Sequence, residues 1–171
     1  MSSFLAATFA SFKQINLKMY LKKYDLRPII SLGGLLMVAT VQNFVDKLKD
    51  PTKEMGMVRK GLKTSDVELF LEQEDLSIKD VLERLVIPSS TYFAKKKSHQ
   101  ALDSYTSEKF IRLISVMIMA SKILGKLEAK NWLYRKIPSL GNEIPINLLD
   151  TEAGHRLVTQ ALLQIKYGIY N

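Results

Sequence analysis

Apolar side chains recur at three- and four-residue spacing from Leu35 to the C-terminus, while the alternation of Val, Ile and Thr that marks strands hardly occurs. The pattern predicts an all-α protein. Ser65 followed by Glu68 makes a capping box ahead of Val67, Phe70 and Leu71 and predicts a helix over 66–74. Ser77 caps a second helix with Ile78, Val81, Leu82 and Leu85 on one face. Pro88 breaks the chain, and Ser89 or Ser90 starts a third helix reaching Lys97, with Tyr92 turned inward and Phe93 partly exposed. From Ser104 a longer helix carries Phe110, Leu113, Ile114, Met117 and Leu124 on one face and Ile111 and Ile118 on another, which predicts a central, nearly enclosed element. The last helix follows Thr151, carries Leu157, Val158, Ala161, Leu162 and Ile165 on one apolar face, turns Arg156, Gln160 and Gln164 away from it, and ends at Gly168.

Composition narrows the class of function. A chain of 171 residues that is 47% apolar and 25% charged can bury a core and folds as one domain or two small ones. With no Cys there is no disulfide framework, thiolate metal site or cysteine nucleophile, which fits a cytoplasmic protein. The net charge of +8 favours a polyanion as one partner. It is unevenly spread, for residues 51–76 hold four basic and six acidic side chains within an otherwise basic chain. No basic residue precedes Lys13, so the start lacks the positive region of a secretory signal. The uncharged window over 28–45 is short and polar for a membrane span and reads as a buried or interfacial helix, so no membrane partner is expected.

Candidate chemistry is that of binding. His99 and His155 stand 56 residues apart, and no metal, phosphate-loop or nucleophile motif surrounds them, so no cofactor and no catalysis are expected. Glu68, Glu72, Glu74 and Asp75 read as a solvated helix face rather than a metal site. The span 77–97 has the helix, break, helix order of a helix-turn-helix, whose second helix enters the major groove. Ser89, Ser90 and Thr91 offer hydrogen-bonding groups at that helix's start, and Lys95, Lys96 and Lys97 offer charge to phosphates. An ordinary helical hairpin with a solvated lysine run fits the same spacing. The apolar end around Tyr167, Ile169 and Tyr170 has to dock, either on its own core or in a partner's cleft.

Residues 120–171 resemble the toxin-binding domain of the Xre/MbcA/ParS antitoxins, partners of RES-domain toxins. The resemblance runs through Gly125, Ala129, Trp132, Leu133, Pro138, Leu140, Gly141, Pro145, Leu148, Leu149, Thr151, Gly154, Tyr167 and Gly168, in register. Residues 61–116 resemble the Xre-like helix-turn-helix of the same family through Gly61-Leu62, the 91–97 helix, Leu102 and the run from Ser107 to Leu113. Val86 stands where the turn often has Gly, Lys95, Lys96 and Lys109 where Arg is usual, and Asn142 at the second Gly of an L-G-G motif. The resemblance implies an N-terminal helical, dimerising extension over 1–55, a helix-turn-helix domain over 56–119 that binds operator DNA, and a toxin-binding domain over 120–171. It further implies a homodimer that silences an NAD+-consuming RES toxin by occlusion. Glu143, Lys166, Tyr167, Ile169, Tyr170 and Asn171 are then toxin-facing, while Trp132, Leu140, Pro145, Thr151 and Gly154 are structural. The alternative is a stand-alone regulator whose C-terminal domain serves only oligomerisation.

Overall fold

The computed structural model describes residues 41–48 and 50–169. The expected extension over 1–55 therefore lies outside them as far as residue 40, as do Tyr170 and Asn171. Residues 41–48 are helical and bury Val41, Phe44 and Leu48. Seven helices follow: α1 (Pro51–Lys60), α2 (Thr64–Gln73), α3 (Ile78–Arg84), α4 (Ser89–Lys97), α5 (Ser104–Leu124), α6 (Lys126–Tyr134) and α7 (Glu152–Tyr167). Two 3-10 turns, Pro138–Leu140 and Pro145–Leu148, bridge α6 to α7. Among the described residues there is no strand, only an isolated antiparallel bridge between Ile137 and Glu143. The fold is all-α.

The centre is α5, which buries Phe110, Leu113, Ile114, Val116, Met117 and Ala120 and packs against α1, α6 and α7. Asp103 caps its start, accepting from the Thr106 backbone N–H at 2.8 Å. Because α5 runs unbroken through position 119, residues 56–119 and 120–171 share a helix and one apolar core.

The short helices stop in a common way. After α2, α3 and α4 the residues Asp75, Val86 and His99 take φ of 54°, 52° and 53°. The next N–H reaches back to close the last turn, Leu76 to the Leu71 carbonyl, Ile87 to Leu82 and Gln100 to Lys95. This is the Schellman arrangement that glycine usually serves, and α7 ends the same way with Gly168 itself.

Two expected details differ. α2 starts at Thr64 with Lys63 at the cap and no capping side chain, so the Ser65–Glu68 box is not formed. Glu68 is engaged elsewhere, 2.7 Å from Lys96 Nζ on α4. On α7, Leu157 is 53% exposed rather than buried. The inner face is a narrow stripe of Gly154, Val158, Ala161 and Leu162, because Gly154 lies so close to the Leu148 carbonyl that a Cβ there would come within 1.9 Å of its oxygen.

Candidate functional site

Two surfaces carry the residues singled out in the sequence. On α4, Ser89, Ser90 and Thr91 are exposed at the first turn, and Tyr92 is buried against Phe110. Lys95 Nζ donates to Gln100 Oε1 at 3.2 Å, Lys96 pairs with Glu68, and Lys97 is exposed without an ion pair among the described residues. The Tyr92 hydroxyl also donates to Glu68 Oε1 at 3.4 Å, and burial raises its pKa well above the ordinary value, so it stays protonated. Glu68 thus lies between an internal phenol and a lysine of the exposed face.

The turn before α4 is held from below. Lys109, buried in α5, donates from Nζ to the Leu85 carbonyl at 2.8 Å and to the Val86 carbonyl at 3.1 Å. These are end-of-helix carbonyls with no partner inside α3. Its ammonium also lies 4.6 Å from the Tyr105 ring centre. One turn on, buried Arg112 donates through Nε to the Leu149 carbonyl and through Nη2 to the Asp150 carbonyl, both at 3.1 Å, fixing the approach to α7. From α6, Lys126 donates to the Gln73 carbonyl at 2.7 Å and Lys130 to the Asp75 carbonyl at 2.6 Å, closing the end of α2. Arg84 of α3 reaches Asn147 at 2.9 Å, and Tyr134 of α6 donates to Asp80 of α3 at 2.7 Å. The acidic run is only partly a solvated face: Glu72 and Asp75 are exposed, yet Glu68, Glu74 and Asp75 are paired to lysines of other helices, and burial lifts the Glu74 carboxyl above its usual range.

The second surface is the end of α7. Thr151 caps its start through Oγ1, which accepts from the Gly154 N–H at 3.1 Å, as expected of that threonine. At the far end Lys166 lies over the Tyr167 ring at 5.0 Å, and Tyr167 and Ile169 are 64% and 55% exposed. The described part of the tail is thus not packed on the protein's own core. Lys166 also lines an open groove of about 560 Å³ with Leu163 and Ile165 of α7 and Ile118, Met119 and Ile123 of α5. Glu143 is exposed in the turn between the two 3-10 segments, its carbonyl accepting from the Ile137 N–H at 3.0 Å. Asn142 beside it takes φ of 63° next to Gly141 at 69°, a left-handed pair that asparagine tolerates better than most residues. Trp132, Pro145 and Gly154 are buried, in keeping with structural roles.

The sequence reading singled out neither Lys109 nor Arg112 as positioning residues. The available signal was their place on the buried side of α5, at a spacing of three, where a charge has to find a partner.

Among the described residues no group of His, Asp or Glu is arranged to hold a metal ion, and no helix is long and apolar enough to cross a membrane. The class of protein is given by residues 119–168, which match the model for the antitoxin Xre/MbcA/ParS C-terminal toxin-binding domain. The chain is an antitoxin of a toxin–antitoxin system. Within that class its C-terminal domain is similar to that of the Xre/MbcA/ParS-type antitoxins. A curated relative, the Prs ADP-ribosylating antitoxin of Sphingobium sp. (strain YBL2), is 28% identical over 137 residues, covering 70% of this chain and 82% of the relative.

Proposed function

We propose that this antitoxin silences a RES-domain toxin by inserting its C-terminal tail into the toxin's NAD+ cleft, and that α3 and α4 act as a helix-turn-helix that represses its own operon. The observation that carries the first part is the exposure of Tyr167 and Ile169 at the end of a helix whose other end is locked by Thr151 and Arg112. A rigid helix presenting unburied apolar groups supplies anchors without ordering the rest of the domain on binding. The relative's name concerns ADP-ribosylation, a transfer that draws on NAD+ and so suits a cleft of this kind. Inhibition of this sort is occlusion and needs no cofactor on the antitoxin. Glu143 and Lys166 supply polar contacts to the toxin in this reading, and Tyr167, Ile169, Tyr170 and Asn171 belong to the inserted tail. The reading includes a cytoplasmic homodimer, the symmetry that a palindromic operator matches.

The test is removal of residues 167–171. The truncated chain is expected to keep its melting temperature while its inhibition of the purified toxin weakens by at least about 30-fold, the loss that corresponds to one anchor of about 2 kcal/mol. Full inhibition by a well-folded truncation overturns the plug. For the second part, replacing Lys95, Lys96 and Lys97 by Ala is expected to weaken operator binding and flatten its salt dependence, with toxin inhibition intact. An unchanged salt slope removes α4 from the DNA contact.

A further inference from the structure

One groove of the molecule is left without a role by the reading above. It has a volume of about 580 Å³ and is walled by the helical residues 41–48, α1 and the start of α2. Lys47, Lys53, Lys60 and Lys63 line it, with Asp66 as its one acidic lining residue. Lys53 is paired with Asp50 at 3.1 Å. Lys47, Lys60 and Lys63 are exposed and have no ion pair among the described residues. Like charges brought to one concavity repel each other, and a concavity of one sign concentrates counter-ions of the other.

We propose that this groove holds the phosphate backbone of duplex DNA next to the segment that α4 contacts. The proposal rests on the reading of α4 as a DNA-contacting helix. Its position follows from Gly61, at φ 79°, which lies against the chain leaving α4. A Cβ at Gly61 would meet the Leu102 carbonyl oxygen at 1.9 Å and the Ala101 Cβ at 3.2 Å. The Leu102 N–H donates to the Leu62 carbonyl at 2.9 Å, and the Leu62 N–H donates to Ser107 Oγ at the same distance. The Gly61–Leu62 edge of the groove is thereby fastened to Leu102, five residues beyond Lys97. Five residues span at most about 18 Å, or about five steps of duplex at 3.4 Å each. A single duplex can therefore meet both lysine clusters. Its ammonium groups lie on flexible stems, which suits phosphate attraction without base reading.

The experiment measures binding of a duplex carrying the operator at several salt concentrations, using the full chain. A Lys60→Gln, Lys63→Gln variant is expected to reduce the slope of log K against log salt by about 1.8, the value for two phosphate contacts. Lys122→Gln with Lys136→Gln, which removes equal charge elsewhere, is expected to leave the slope almost unchanged. Lys60→Arg with Lys63→Arg is expected to keep it, and melting curves show that each variant is folded. If the groove variant loses no more slope than the charge-matched control while the Lys95, Lys96 and Lys97 variant does lose slope, the groove proposal falls and the α4 reading stands. If the unaltered chain binds duplex without salt dependence, or the α4 variant is unaffected, the α4 reading fails and takes this proposal with it.

Discussion

Val86 holds a β-branched side chain at φ 52°, 68% exposed, at the tightest point between α3 and α4. The left-handed conformation costs an L-residue about 1–2 kcal/mol relative to glycine. The surrounding bonds over-determine it, with Lys109 on the Leu85 and Val86 carbonyls and Ile87 N–H on the Leu82 carbonyl. Val86→Gly is accordingly expected to stabilise the protein by about 1 kcal/mol, read as a higher urea midpoint at unchanged m-value. A lower midpoint would show that the valine side chain earns its place by contact. The strained position itself could be found in the sequence, because a valine there departs from the usual glycine. Its compensation could not, since Lys109 lies 23 residues away and a long-range bond leaves no local pattern. Glu68 teaches the same lesson in reverse: it satisfies a capping box by spacing, yet Lys96 and Tyr92 claim its carboxylate.

Helices with a strong apolar period were placed well from sequence, and their exposure less so. The long helix from Ser104 and the break at Pro88 are where the periodicity and the proline put them. Leu157 failed because a helix of this period presents a stripe about 100° wide, and which residues fall at its edge depends on the neighbour, here the Leu148 carbonyl against Gly154. Leu113, fully buried in the middle of α5, tests the centrality of that helix. Leu113→Ala is expected to cost about 2–5 kcal/mol, measured by chemical denaturation. A near-neutral result would place α5 at the periphery of the energetics. The residue types of α4 and α7 that carry the proposed contacts stand together in single windows of sequence, whereas the lysine-lined groove draws on three separate elements that no single window brings together.

The molecule as a whole should lose stability in mild acid. His155, half-buried between Glu152 and Arg112, has its pKa lowered chiefly by burial, which outweighs the opposing Glu152 charge, with the Arg112 charge adding to the lowering. A histidine whose folded pKa is depressed contributes stability above its unfolded pKa of about 6.5 and loses it as the pH falls through the folded value. The urea midpoint is therefore expected to drop between pH 7 and pH 5, and His155→Gln to shrink that drop. An identical drop in the variant would assign the acid sensitivity to other groups. The unbroken course of α5 from Ser104 to Leu124 also bears on inheritance. A genetic crossover within those codons joins half of one protein's buried stripe to half of another's, setting Met117 and Ala120 beside side chains that did not diverge with them. A crossover at Gly125 spares the helix, but it separates Lys126 and Lys130 from the α2 end that they close. Recombination that keeps such a protein folded is therefore expected to move α5 together with the helices packed on both of its halves, as a single heritable unit.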